Sequence, residues 1–135
     1  MGSGVKGPIL AIDPGEARIG LAVSDSDRRV ARPLRVLRHT SRAADAGVIA
    51  EEAKGLGATL LLVGLPLDVE GEAGPRARKA MRLADALRSQ TSIPVETWDE
   101  SGSTQAAAAL PRSRSGLDAR AAALILQDYL DANFS

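Results

Sequence analysis

Short, continuous apolar runs alternate along the chain with longer stretches whose apolar residues recur every three or four positions, and this alternation predicts the elements. Residues 8–12, Pro-Ile-Leu-Ala-Ile, run into Asp13-Pro14-Gly15, as a buried central strand entering a turn would. Residues 19–23 form a second apolar run. Too few residues separate the two for a parallel crossover, so they are expected to be antiparallel neighbours. Residues 30–37 alternate loosely and carry several arginines, which suits an exposed edge strand. Beyond Thr40 and Ser41, a plausible cap, residues 43–56 have helical composition and stop at Gly55 and Gly57. A strand over 59–65, a turn-rich loop over 66–74, a helix over 75–89 opened by Pro75 and a strand over 93–98 follow. Ser103 or Thr104 can cap a short helix through Leu110, and 117–130 reads as the last helix.

Strands linked through helices pair in parallel by right-handed crossovers, so the fourth and fifth strands should run parallel to the first. The expected fold class is α/β, a five-stranded mixed sheet with helices on both faces. With 135 residues the chain is expected to form one domain over 8–135, after a disordered start at 1–7.

Composition narrows the chemistry. The absence of cysteine excludes disulfides and thiolate metal sites, so any metal must be held by oxygen or by the single histidine, His39. No apolar run approaches the roughly 20 residues of a membrane span, and the expectation is a soluble, cytoplasmic protein without a membrane partner. Seventeen Lys and Arg balance seventeen Asp and Glu, so net charge does not announce a nucleic-acid ligand. The distribution is more informative: Arg28, Arg29, Arg32, Arg35 and Arg38 cluster, as do Arg112, Arg114 and Arg120, and both groups are candidate phosphate contacts or solvated surface.

In open α/β sheets the ligand crevice lies beyond the carboxyl ends of the parallel strands. There the chain places Asp13, after the first strand, and Asp99-Glu100, after the fifth. Asp118 shares a helical stripe with Ala121, Ala122, Ile125 and Tyr129, the face that should lie on the sheet, where a carboxylate is costly unless paired or holding a metal. Carboxylates converging from distant elements suit Mg²⁺ or Mn²⁺ and in-line phosphoryl displacement. Each acid also has a structural reading: an Asx-turn at Asp13, a flanking acid at Asp99 or Glu100, a first-turn acid at Asp118.

Ala11-Ile12-Asp13-Pro14-Gly15-x-x-Arg18-Ile19-Gly20-Leu21-Ala22-Val23-Ser24-Asp25 resembles the opening motif of the YqgF/RuvX family. Val63-Gly64-Leu65-Pro66-Leu67-Asp68-x-x-Gly71, with Gly74-Pro75, resembles its second signature, Trp98-Asp99-Glu100 its third, and the run from Asp118 to Leu130 its last. The resemblance implies an RNase H-like fold and a metal-dependent nuclease acting on structured nucleic acid, by maturing pre-16S ribosomal RNA, by resolving Holliday junctions, or both. It implies Asp13, Asp99, Glu100 and Asp118 as catalytic acids. Asp13, Glu100 and Asp118 would hold Mg²⁺ or Mn²⁺, with two ions expected, and the division of labour between Asp99 and Glu100 stays open. Arg18, Gly64, Arg112 and Arg114 are the candidate nucleic-acid contacts, and a monomer or weak homodimer is expected. The chain departs from the family where Ser101 and Gly102 follow Glu100 in place of an arginine, and where 111–116 is shorter than the usual basic loop. The competing reading is a module that binds nucleic acid or a ribosome-assembly partner without cutting. The scarcity of aromatic residues argues against a stacking platform.

Overall fold

The computed structural model describes residues 7–66, 74–99 and 119–134. Three strands, β1 (Ile9–Pro14), β2 (Arg18–Ser24) and β3 (Ala31–Arg38), form an antiparallel meander. They are followed by α1 (Arg42–Leu56), β4 (Leu60–Leu65), α2 (Pro75–Gln90), β5 (Val95–Asp99) and α3 (Ala119–Phe134). The sheet order is β3-β2-β1-β4-β5, with β4 parallel to β1 and β5 parallel to β4. This is the expected mixed sheet. The helix anticipated over 103–110 lies outside the described residues, as does the start of the last helix.

Local chemistry explains the boundaries. Ser41 Oγ accepts from the Ala44 N–H at 3.2 Å and opens α1, and Gly57 closes it in the left-handed conformation at φ 70°, which a glycine adopts without strain. Pro75 starts α2 where a missing N–H costs nothing. The β1–β2 turn has only Glu16 and Ala17 at its tip, closed by the Gly15 N–H donating to the Arg18 carbonyl at 2.9 Å. At the edge of the sheet, β3 tolerates Pro33 next to a shift of register between Leu21 and Ala22. Strand β1 runs two residues further than the apolar pattern indicates and so includes Asp13.

Alternation sends successive residues to opposite faces, and the two faces differ. Leu10, Ile12, Ile19, Leu21, Leu61, Val63 and Val95 pack under α1 and α2, with Ile49, Leu83 and Leu87 facing them. Ile9, Ala11, Ala22, Leu60 and Leu62 pack under α3 through Ala122, Ile125, Leu126, Tyr129 and Leu130. Burying one such aliphatic side chain contributes roughly 1.5–3 kcal/mol, so both layers stabilise the sheet. Among the described residues, no helix is long and apolar enough to cross a membrane.

Candidate active site

At the carboxyl edge of the parallel strands, Asp13 is the penultimate residue of β1, on the face that carries α3, following Ile9 and Ala11. Its neighbours are set by register. Asp13 pairs with Gly20 of β2. On the other side, Ile12 pairs with Val63, so the next step brings Asp13 level with Gly64 of β4, and Gly64 pairs in turn with Trp98 of β5. Residues at one level of a sheet share a face, so the carboxylate is flanked on both sides by positions without a side chain. Gly64 therefore lies within the strand, as expected, and beside the acid. Gly20 was not singled out by sequence, although the signal was present: a two-residue turn over Glu16 and Ala17 fixes residues 13 and 20 as partners.

Asp13 is 8% exposed, and with the described residues its carboxylate makes no hydrogen bond or ion pair. Burial pushes its pKa up to about 6, against a weaker opposing pull from the Arg76 guanidinium at the start of α2. A buried carboxylate in that condition is destabilised as an anion and suited to a cation that would relieve it. The donor set is all oxygen, as Mg²⁺ and Mn²⁺ prefer. Among the described residues no three ligand-type side chains come together. Two of the candidate ligands, Glu100 and Asp118, lie outside the described residues, and so do Arg112 and Arg114.

The remaining candidates separate by position. Asp99 stands at the same edge, paired with Leu65, and is exposed. Val95 packs under α1 and α2, and two and four residues on Thr97 and Asp99 take the same side, which puts Asp99 on the face opposite to Asp13. Trp98 takes the Asp13 side. Its ring meets Tyr129 edge-on at 5.1 Å, and its indole N–H donates to Asp128 Oδ2 at 3.1 Å. Arg18 begins β2 at the carboxyl edge, exposed and on the Asp13 face. His39 is committed elsewhere: Nδ1 contacts Asp45 Oδ2 on α1.

The arginine cluster read from the sequence disperses in space. Arg28 sits at the opposite, amino edge with φ 59° and is buried. It donates from Nε to the Gly7 carbonyl at 3.1 Å and from Nη2 to Thr59 Oγ1 at 2.9 Å, and it lies 5.4 Å from the Phe134 ring centre. Arg35 pairs with Glu52 of α1 at 2.8 Å. Arg28 is thus a structural tie and not a surface phosphate contact.

A family model described as RuvX: Holliday junction resolvase matches residues 7–132. A protein of Chloroflexus aurantiacus named as a candidate pre-16S rRNA nuclease is 42% identical over 136 residues, covering 94% of this chain and 88% of the relative. One of Anaeromyxobacter sp. strain Fw109-5 with the same name is 43% identical over 130 residues, covering 90% and 95%. Among solved structures, Thermus thermophilus RuvC in complex with a Holliday junction substrate superposes with a TM-score of 0.62 at 18% identity, covering 95% of this chain and 96% of that one. That likeness establishes the fold, the RNase H-like architecture of a RuvC nuclease.

Proposed function

This chain belongs to the RuvX family of nucleases, hydrolases of phosphodiester bonds, and from that premise we propose that it cuts the precursor of 16S ribosomal RNA with the help of two divalent cations, Mg²⁺ or Mn²⁺. The observation that carries the reading is Asp13: a buried carboxylate without a described partner, at the carboxyl edge of a parallel sheet, between two glycines. Such an arrangement disfavours the charged carboxylate, and no described residue offsets this with a hydrogen bond or ion pair. The choice of RNA rests on relatives 42–43% identical over nearly the whole chain that carry the ribosomal name.

In this reading Asp13, Glu100 and Asp118 hold the cations. Glu100 is preferred to Asp99 because alternation along β5 puts Asp99 on the face away from Asp13. Bound cations of this kind activate a water and stabilise the leaving oxygen of an in-line displacement. Gly20 and Gly64 keep side chains out of the space beside the acid, and Gly64 lets the substrate backbone approach. Arg18 contacts a phosphate, with Arg112 and Arg114 as further contacts. The protein acts in the cytoplasm, where its substrate is made, as a monomer or weak homodimer.

The test compares precursor RNA, a four-way DNA junction and plain duplex, each with and without Mn²⁺, using the parent and Asp13→Asn. The reading expects metal-dependent cleavage of the precursor by the parent alone. Preferential cleavage of the junction would move the substrate to branched DNA, and equal rates for parent and variant would remove Asp13 from the chemistry.

A further inference from the structure

Charge is distributed unevenly among the three described helices. Helix α2 carries five cations, Arg76, Arg78, Lys79, Arg82 and Arg88, against one acid, Asp85. In α1 and α3 the acids outnumber the bases. All six charged residues of α2 are exposed, because its buried stripe is Ala77, Ala80, Leu83, Ala84 and Leu87. Asp85 is committed to Arg88, which it meets at 2.9 Å and which also donates to the Val95 carbonyl at 2.9 Å. Arg78 is engaged as well. With the described residues, Arg76, Lys79 and Arg82 make no hydrogen bond or ion pair.

These three follow one another at intervals of three, so each is the surface neighbour of the next, and together they span about 9 Å of helix axis. The row begins at the acid edge. Strands β4 and β5 run parallel, so the crossover between them starts α2 at their carboxyl edge. Arg76, in the first turn, lies close enough for its charge to act on Asp13. The helix itself does not call for a cation there: its first turn has no acid and no side-chain cap, and a positive charge opposes the helix dipole. A nucleic-acid strand presents a phosphate about every 3.4 Å, so the row matches two or three successive phosphates. On a chain whose net charge is zero, this is a local match and not a general attraction.

We propose that Arg76, Lys79 and Arg82 form a track along α2 for the phosphate backbone of the substrate, beside the phosphate cut at Asp13. The track rests on the nuclease reading and adds to it a surface and a direction: the strand passes from the acid over the end of β4 onto the flank of α2. Contacts to phosphate carry no base information, so the track sets register and affinity and not sequence preference.

The experiment is binding of labelled precursor RNA and of a four-way DNA junction by the full chain in chelator, titrated with salt. One phosphate contact contributes about 0.7 to the slope of log affinity against log salt on a single strand and about 0.9 on a duplex. The double variant Lys79→Gln with Arg82→Gln should therefore lower the slope by about 1.4 on single-stranded RNA, and its affinity deficit should shrink about sevenfold between about 50 and 200 mM salt. Lys79→Arg with Arg82→Lys should keep the parent slope. Arg42→Gln with Lys54→Gln removes two exposed charges from α1 and should bind as the parent does. A loss in the RNA arm alone assigns the track to RNA, and a loss in the junction arm alone assigns it to DNA. An unchanged slope in the α2 double variant, or an equal loss in the α1 double variant, overturns the track while leaving the nuclease reading in place. Salt-independent binding by the parent would overturn both.

Discussion

Two carboxylates are buried among the described residues, and they are treated in opposite ways. Asp45, at the start of α1, is 4% exposed, and its oxygens contact His39 Nδ1 and accept from the Thr40 N–H at 3.0 Å and Thr40 Oγ1 at 3.3 Å. Asp13 is nearly as buried, at 8%, and among the described residues it has no such partners. A satisfied buried acid is part of the architecture; here it ties the end of β3 to the first turn of α1. One without such partners is destabilised as an anion, and in the proposed reading a bound cation relieves it. The contrast separates scaffold from site more sharply than burial alone.

The largest effect that would break this comparison is in the chemistry. Asp13→Asn should reduce metal-dependent cleavage by roughly three orders of magnitude, about 4 kcal/mol of transition-state stabilisation, with melting in chelator no lower than the parent's. A large fall in melting temperature would make Asp13 as structural as Asp45.

Asp45→Ala should do the reverse. Losing its partners leaves the Thr40 N–H and His39 without an acceptor and should cost about 3 kcal/mol in urea unfolding. Cleavage per folded molecule should be retained. If activity falls and stability does not, Asp45 belongs to the site.

A smaller effect is the pH dependence. An acid whose folded pKa lies above its unfolded value makes the folded state the better proton binder, so its penalty is absent at low pH and grows as pH rises. For Asp13 the window runs from its ordinary value of 3.8 to about 6. In chelator the parent should lose stability relative to Asp13→Asn across that window, by an amount approaching about 3 kcal/mol above it. Metal affinity should weaken as pH falls below about 6, because protons then compete for the carboxylate. Parallel stability curves for the two proteins would rule out the elevated pKa. Least of all, Ser41→Ala should cost about 1 kcal/mol by opening the cap of α1, as thermal unfolding would register.

Most of the framework was legible because it follows from periodicity and punctuation. The apolar runs, the Ser41 cap, Pro75 and the glycines closing α1 lie within the segments that form the elements, and the short turn at Glu16 and Ala17 dictated an antiparallel pair. What was less legible depended on register and handedness. Sequence put Asp13 and Asp99 at one edge, but only the strand pairing shows that they take opposite faces. The Arg28–Arg38 stretch looked like one basic patch, whereas a turn and an alternating strand distribute it to the amino edge, the α1 face and the carboxyl edge. His39 drew attention as a possible metal donor, and its partner six residues on could not be inferred without the β3–α1 geometry.

Trp98 gives the molecule an optical property as well as a packing role. It is the one tryptophan in the chain, level with Gly64 and two strands from Asp13, with its ring against Tyr129 and its N–H on a carboxylate. The entire indole emission therefore originates beside the acid edge, with no second fluorophore of its kind to dilute it. Charge arriving at Asp13 would act on that excited state across roughly 10 Å, the width of two strand spacings. The intensity and wavelength of native emission thus form a label-free gauge of events at this edge, readable in a stopped-flow instrument without altering a residue.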